Sequence, residues 1–264
     1  DYIIILNPDT IVESNWIEEL ISAYNKFGEG LYQPKHLSLN EKTVYMSAGN
    51  MLNIFGFGYA REKGNKDENQ FNKIEEISYA SGTCLFTSSA VLKKVGLFDP
   101  FIFLYHDDLD LGWRASQLGI KSYYVPTSLI YHAESYSLKW SAEKFYWLER
   151  NRKYCILTHY SKQTYSKIFP TLLVVDFFVW IFYLTKGFLG SKIRAELDII
   201  KNRKAIKIKY EELESKKIVS DKELITKFSD SLHVPSNVTG KNINSVFNSV
   251  IKRLSKSAKK SLVD

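Results

Sequence analysis

The sequence predicts an α/β domain followed by a C-terminal, helical, membrane-associated segment. Short apolar runs alternate with helically spaced segments through residues 1–160, the pattern of strands and helices sharing one core. A hydrophobic content of 45% and an aromatic content of 14% over 264 residues can fill such a core. The composition then changes: Ile168–Thr185 holds a single charge, Asp176, in 18 residues. These observations divide the chain into 1–160, an apolar membrane-associated helix over 161–190, and a basic tail over 191–264 that is partly helical and partly disordered.

Asp1–Leu6 (DYIIIL) is a continuous apolar run, as expected of a buried central strand covered on both faces. Asn7-Pro8-Asp9-Thr10 stops it, because Pro8 has no N–H for the ladder and Asn and Asp favour turns. Trp16, Ile17, Leu20, Ile21 and Tyr24 recur at helical spacing and predict a helix closed by Gly28 or Gly30. Short strands are expected at 31–34 and 43–47, then a long surface loop rich in Gly, Asn and Lys over 49–73. Strand character returns in Ile74–Phe86, on both sides of Ser81-Gly82. Short helices follow over Ser88–Val95, closed by Gly96, and over Asp107–Leu118, closed by Gly119. Strands at 121–125 and 128–132 precede an amphipathic helix, Ser141–Tyr160, opened by Ser-Ala-Glu.

The net charge of +7 is unevenly spread. Residues 186–264 carry 18 Lys+Arg against 9 Asp+Glu, and residues 1–185 carry 18 against 20. Basic residues gathered in a tail, outside the folded part, argue against nucleic acid as the partner. They suit an anionic membrane surface beside an apolar segment with Trp, Tyr and Lys at its borders. A helix docked on the domain is the competing reading of 168–185. Residues 196–217 have a helical pattern, and the polar stretch beyond about 230 predicts poor order. Cys84 and Cys155 are the only cysteines, so neither a disulfide framework nor a zinc site is indicated, and a reducing compartment is the default.

Chemistry concentrates in Asp99–Arg114 (DPFIFLYHDDLDLGWR). Asp107, Asp108 and Asp110 place three carboxylates within four residues, where one or two would cap the helix and complement its dipole. Asp110 and Arg114 stand four apart and can pair on one helical face. That leaves Asp107 and Asp108 beside Phe98, Phe101, Phe103 and Tyr105, an apolar setting that raises a carboxyl pKa toward usefulness as a base. Asp9 follows one strand and His132 ends another. If the strands are parallel in one sheet, the two side chains converge on its carboxyl edge and can hold a divalent ion with positions left for phosphate oxygens. Read singly, Asp9 is a turn residue and His132 a structural imidazole.

The order NPDT after a strand, then SGTCLFTSSAVLKKVGLFDPFIFLYHDDLDLGWRASQLG, then VP…SLIYH, resembles family 2 glycosyltransferases of the GT-A fold, in particular the rhamnosyltransferase-like subgroup. The resemblance covers roughly residues 1–160 and implies a GT-A-like domain with a mixed sheet. By that likeness Asp9 stands for the metal-binding last Asp of the DxD motif, Asn7 for its first, and His132 for the third metal-site residue. Asp107 and Asp108 stand for the acidic pair, with Asp108 favoured as general base and Asp107 the alternative. Asn7, Ser81, Gly82 and Arg150 would contact the donor; Tyr105 and His106 would lie on the acceptor side. The implied cofactor is Mg²⁺ or Mn²⁺. The implied partners are a nucleotide-diphosphate sugar (dTDP-rhamnose or a UDP-sugar) and a glycan or glycolipid acceptor, at the cytoplasmic face of the cell membrane. Family members carry an upstream βαβ unit that binds the nucleotide, so the sequence reads as N-terminally truncated. A non-catalytic glycan- or partner-binding remnant is the alternative function.

Overall fold

Why apolar runs and helical segments alternate becomes visible in the structure, a computed structural model that describes residues 1–133, 141–232 and 241–263. A seven-stranded mixed sheet runs in the order β1 (Tyr2–Leu6), β8 (Cys84–Ser88), β3 (Gly30–Ser38), β9 (Lys121–His132), β2 (Thr10–Val12). β4 (Tyr45–Ser47) adds to β3 and β7 (Glu75–Ile77) to β9. β3 and β9 are parallel; β1 and β8, and β8 and β3, are antiparallel, so β1 points the same way as β9. Their carboxyl ends therefore share one edge of the sheet.

Alternation along the strands sends side chains to two faces. Tyr32, Cys84, Phe86 and Ile130 meet Trp16, Leu20 and Ala23 of helix α1 (Trp16–Phe27). Leu31 and Leu85 meet Val91 and Val95 of α2 (Ser89–Val95) and Leu111 and Ala115 of α3 (Asp107–Gln117) on the other face. The helices begin and end on local signals: Gly28 and Gly96 take positive φ at the ends of α1 and α2, and the Ser88 hydroxyl accepts from Val91 N at 3.2 Å.

The expected elements hold, with informative departures. The expected buried central strand is instead an edge strand: β1 pairs, among the described residues, with β8 alone, and its residues are half-buried or exposed. The two strands predicted at 121–132 are one, β9, with a register shift opposite Pro34/Lys35. The segment 49–73 carries a hairpin of β5 (Asn50–Leu52) and β6 (Gly58–Ala60), anchored by the buried Leu52, Ile54 and Phe55.

The C-terminal helices are α4 (Ala142–His159), α5 (Lys162–Thr185), α6 (Leu189–Lys201), α7 (Arg203–Lys216), α8 (Asp221–Lys227) and α9 (Lys241–Val263). α4 is not amphipathic. It is enclosed by its neighbours, and Glu149, Arg150, Asn151 and Arg152 are buried in one row. Beyond 240, where poor order is expected, the described residues form α9, whose Ile251, Ser255 and Ala258 are buried at helical spacing. One hydrophobic cluster joins Leu109 and Trp113 to Ile168, Val175, Ile199, Phe228 and Ile251, so the core runs across the boundaries expected at 160 and 190.

Candidate active site

β1 delivers the NPDT turn to the carboxyl edge, where two hydrogen bonds fix it: Asn7 N donates to Thr83 O at 3.0 Å, and the Thr10 hydroxyl donates to Asn7 O at 2.7 Å. Asn7 is thereby laid against Ser81-Gly82-Thr83. That segment is placed in turn by Gln33, a buried residue of β3 that sequence reasoning passed over. Its Oε1 accepts from Ser81 N at 2.9 Å, and its Nε2 donates to Ser47 Oγ at 2.9 Å. The sequence signal that could have marked it is a Gln following Leu31-Tyr32 inside a strand run; its side chain is fully buried. Gly82 N then donates to Asp108 Oδ2 at 3.0 Å. A β-carbon on Gly82 would lie 3.6 Å from Asp108 Cβ and 3.9 Å from Asp107 Oδ2, so both carboxylates flank this glycine.

Asp9 and His132 meet as their strand ends predict, through a link the sequence did not reveal. After the turn the chain reverses into β2 and pairs antiparallel with β9, setting Thr10 opposite His132. Ala133 N donates to Asp9 O at 3.0 Å, and Asp9 Oδ1 lies 3.2 Å from His132 Nε2. Two ligands of an octahedral ion with bonds near 2.1 Å stand about 3 Å apart, so this oxygen and nitrogen fit one Mg²⁺ or Mn²⁺. Asp9 is partly open to solvent. His36 of β3, two residues before Ser38, the β-partner of His132, is a further imidazole that the sequence did not single out. Burial first and the nearby His132 second lower its pKa to about 3, which keeps the ring neutral.

The acidic pair opens α3 from a strained approach. Tyr105 and His106 both take left-handed backbone, at φ 62° and 65°. Non-glycine residues hold such geometry only when their surroundings impose it. Here Asn151 imposes it: its Nδ2 donates to Leu104 O at 2.8 Å and to Tyr105 O at 2.9 Å. Burial, and then the charge of Asp107, push the Asp108 carboxyl up to about 7, against the pull of Gly82 N–H and Leu109 N–H. Burial raises Asp107 as well. Asp110 leaves this cluster. It pairs with Arg114 at 2.8 Å, as its spacing predicts, and also meets His159 Nε2 at 2.9 Å. Burial alone would raise its pKa; the His159 hydrogen bond and the Arg114 charge reverse the sign and keep it ionised.

Two expected site residues are occupied elsewhere. Arg150, read as a donor contact, is buried, with Nε on Asp198 at 2.9 Å and Nη1 on Phe101 O at 2.6 Å, and its guanidinium stacks on Phe101. With those groups engaged it holds the 99–106 loop in place instead of reaching a diphosphate. His106, read as an acceptor contact, is half-buried near Gly56 and Arg152; desolvation, then the Arg152 charge, lower its pKa to about 4. Tyr105 stays half-buried beside the pair, with the Lys144 ammonium 5.6 Å from its ring centre. Asn7, Ser81, Gly82, Asp107 and Asp108 are brought together, and Asp9 with His132 lies along the same edge.

Residues 1–155 match the family described as "Glycosyltransferase like family 2". The N-acetylglucosaminyl-diphospho-decaprenol L-rhamnosyltransferase of Mycobacterium tuberculosis is 26% identical over 148 residues, 52% of this chain and 48% of that protein. Rhamnosyltransferase WbbL of Escherichia coli is 26% identical over 148 residues, 52% of this chain and 53% of that protein. The low-salt glycan biosynthesis hexosyltransferase Agl10 of Haloferax volcanii is 22% identical over 119 residues, 45% of this chain and 38% of that protein. The chain spans about half the length of the curated relatives it matches. Among solved structures, GalNAc-T7 with UDP, GalNAc and Mn²⁺ aligns at a TM-score of 0.48 and 14% identity, over 65% of this chain and 34% of that one.

Proposed function

Because the chain belongs to the glycosyltransferase-like family 2, we propose that it moves a sugar from a nucleotide-diphosphate donor to a growing surface glycan, with inversion at the anomeric carbon. The observation that carries this is the Asp108 carboxyl, flanking Gly82 beside the Asn7 turn and held near neutrality by burial and by Asp107. A base of that pKa is half ionised at physiological pH and still accepts a proton readily. The acceptor hydroxyl gives its proton to Asp108 as its oxygen bonds to the anomeric carbon. The bond from that carbon to the diphosphate oxygen breaks on the opposite face, and the nucleoside diphosphate leaves with the electron pair. Asp9 and His132 would hold Mg²⁺ or Mn²⁺, which supplies positive charge for the departing diphosphate. Asn7, Ser81 and Gly82 present small and polar groups along the donor, and Tyr105 borders the acceptor.

The donor we propose is dTDP-rhamnose or a UDP-sugar and the acceptor lipid-linked, at the cytoplasmic face of a membrane; the rhamnosyltransferase and hexosyltransferase names of the relatives support the sugar class. The test is to screen nucleotide sugars with the full-length protein and Mn²⁺, following release of the nucleoside diphosphate. Release from at least one donor, abolished by chelation and by Asp9→Ala, is expected. Release that survives both would remove the metal and Asp9 from the reaction.

A further inference from the structure

From Phe169 to Leu184 the face that α5 leaves uncovered is apolar. Ile168, Leu172, Val175, Val179 and Tyr183 form a buried stripe on the inner side. On the outer side Phe169, Leu173, Phe177, Phe178, Ile181 and Leu184 are exposed, Phe177 at 60%. α6 continues the pattern with Ile193, Leu197 and Ile200 exposed and Ala195 and Ile199 buried. Large apolar side chains set in contiguous rows mark a surface that something covers.

What the inner side does decides how that surface is used. Asp176, the only charge between Ile168 and Thr185, turns inward, 2.8 Å from Lys192 Nζ and 3.3 Å from Arg152. Lys192, fully buried, also meets Glu149 at 2.6 Å, and Lys153 bridges Asp176 and Glu196. For α5 to cross a bilayer it would have to leave this bed, carry Asp176 into hydrocarbon and leave the buried Lys192 and Arg152 to share Glu149 and Glu196 alone. Each of those steps is strongly unfavourable. The helix is long and apolar enough to span, but its packing is that of a helix lying flat.

We infer that the outer faces of α5 and α6 lie in the plane of an anionic bilayer, immersed to the headgroup boundary, and that the chain binds the membrane from one side without crossing it. The charge at the borders selects this occupant. Exposed Lys162 and Lys167 precede the apolar face, exposed Lys186 lies between the two helices, exposed Arg194 stands in the second turn of α6, and exposed Lys201, Arg203 and Lys204 close the row. Cations around an apolar face match acidic headgroups around acyl chains. The same surface is tied to the candidate acceptor loop, because Asp198 of α6 binds Arg150, which binds Phe101 O. Phe103 on that loop is 76% exposed, packed against Trp147. This deepens the proposal of a lipid-linked acceptor, and it is measurable without any activity.

The test is flotation of the full-length protein with phosphatidylcholine vesicles, with and without phosphatidylglycerol. Binding that needs phosphatidylglycerol, is reversed by alkaline carbonate, and weakens tenfold or more in Leu173→Glu/Phe177→Glu and in Leu197→Glu is expected. These positions are exposed, so unchanged circular dichroism and melting should accompany the loss. Retention after carbonate would establish a spanning helix and overturn the inference. Binding unaffected by either variant would move the contact to another surface. A dimer in solution that Leu173→Glu/Phe177→Glu breaks, without vesicle binding by the parent, would give the face to a second copy. Sugar transfer to a soluble acceptor by the same samples reports separately on the catalytic reading.

Discussion

Asp108→Asn should make the protein more stable at pH 8 and leave it nearly unchanged at pH 4. The Asp108 carboxyl is raised to about 7 in the folded chain from an ordinary value of 3.8, by burial first and Asp107 second. Between those values the folded chain keeps a proton that the unfolded chain has released. The contribution to stability is therefore complete below about pH 4 and is lost as pH rises through 7. At about 1.4 kcal/mol per pKa unit, the ionised group costs the folded state up to about 4 kcal/mol at pH 8. Asparagine removes the charge but keeps only one acceptor oxygen for the two N–H groups, Gly82 and Leu109, that now bind the carboxylate. Losing one such bond costs about 1 kcal/mol. The net gain at pH 8 is thus about 3 kcal/mol, or roughly 6–12 °C in melting temperature for a domain of this size. Thermal unfolding of both proteins at pH 4, 6 and 8 reads it directly. Equal melting-temperature differences at pH 4 and pH 8 would refute the claim that Asp108 is a half-buried, destabilised carboxylate.

The same carboxyl predicts that kcat/KM for sugar transfer falls about tenfold per pH unit below 7, since only the ionised base accepts a proton; a flat profile from pH 5 to 8 would contradict it. Asn151→Ala removes both hydrogen bonds to the left-handed approach and should lower kcat more than it raises KM, with about 2–3 kcal/mol lost in denaturant unfolding. Asp110→Asn leaves Arg114 buried beside an uncharged partner and should cost about 3–5 kcal/mol, measured the same way. Gly112→Ala places a methyl 2.3 Å from Tyr79 Cβ and 2.9 Å from Tyr79 Cα; α3 has to move, and a loss of about 1–3 kcal/mol with impaired transfer is expected.

Local signals were strong where one residue type does one job. Gly28, Gly96 and Gly119 end helices because each takes positive φ, and Ser88 and Ser141 begin them because their hydroxyls accept from backbone N–H groups. The Asp110–Arg114 pair was legible from spacing alone. What stayed hidden depends on partners remote in the chain. Nothing near Asp9 announces that the chain will reverse into β2 and reach His132, since a three-residue strand has too little pattern to read. Arg150 reads as a donor contact by the family likeness, and a helix-borne arginine stays ambiguous until Asp198 and Phe101 are seen around it. Asp176 looked like an isolated flaw in an apolar helix; Lys192 and Arg152, on other helices, make it an anchor. The tail looked disordered because α9 keeps its apolar stripe to a few positions, Ile251 and Ala258 among them.

Asp108 as the base of a glycosyl transfer is open to one direct test. Full-length protein and its Asp108→Asn variant should be compared for donor affinity and for transfer rate with one active nucleotide sugar and Mn²⁺. A rate lowered about 10²–10⁴-fold with donor affinity within a few-fold of the parent is the predicted result. Transfer at the parental rate by Asp108→Asn would contradict the account.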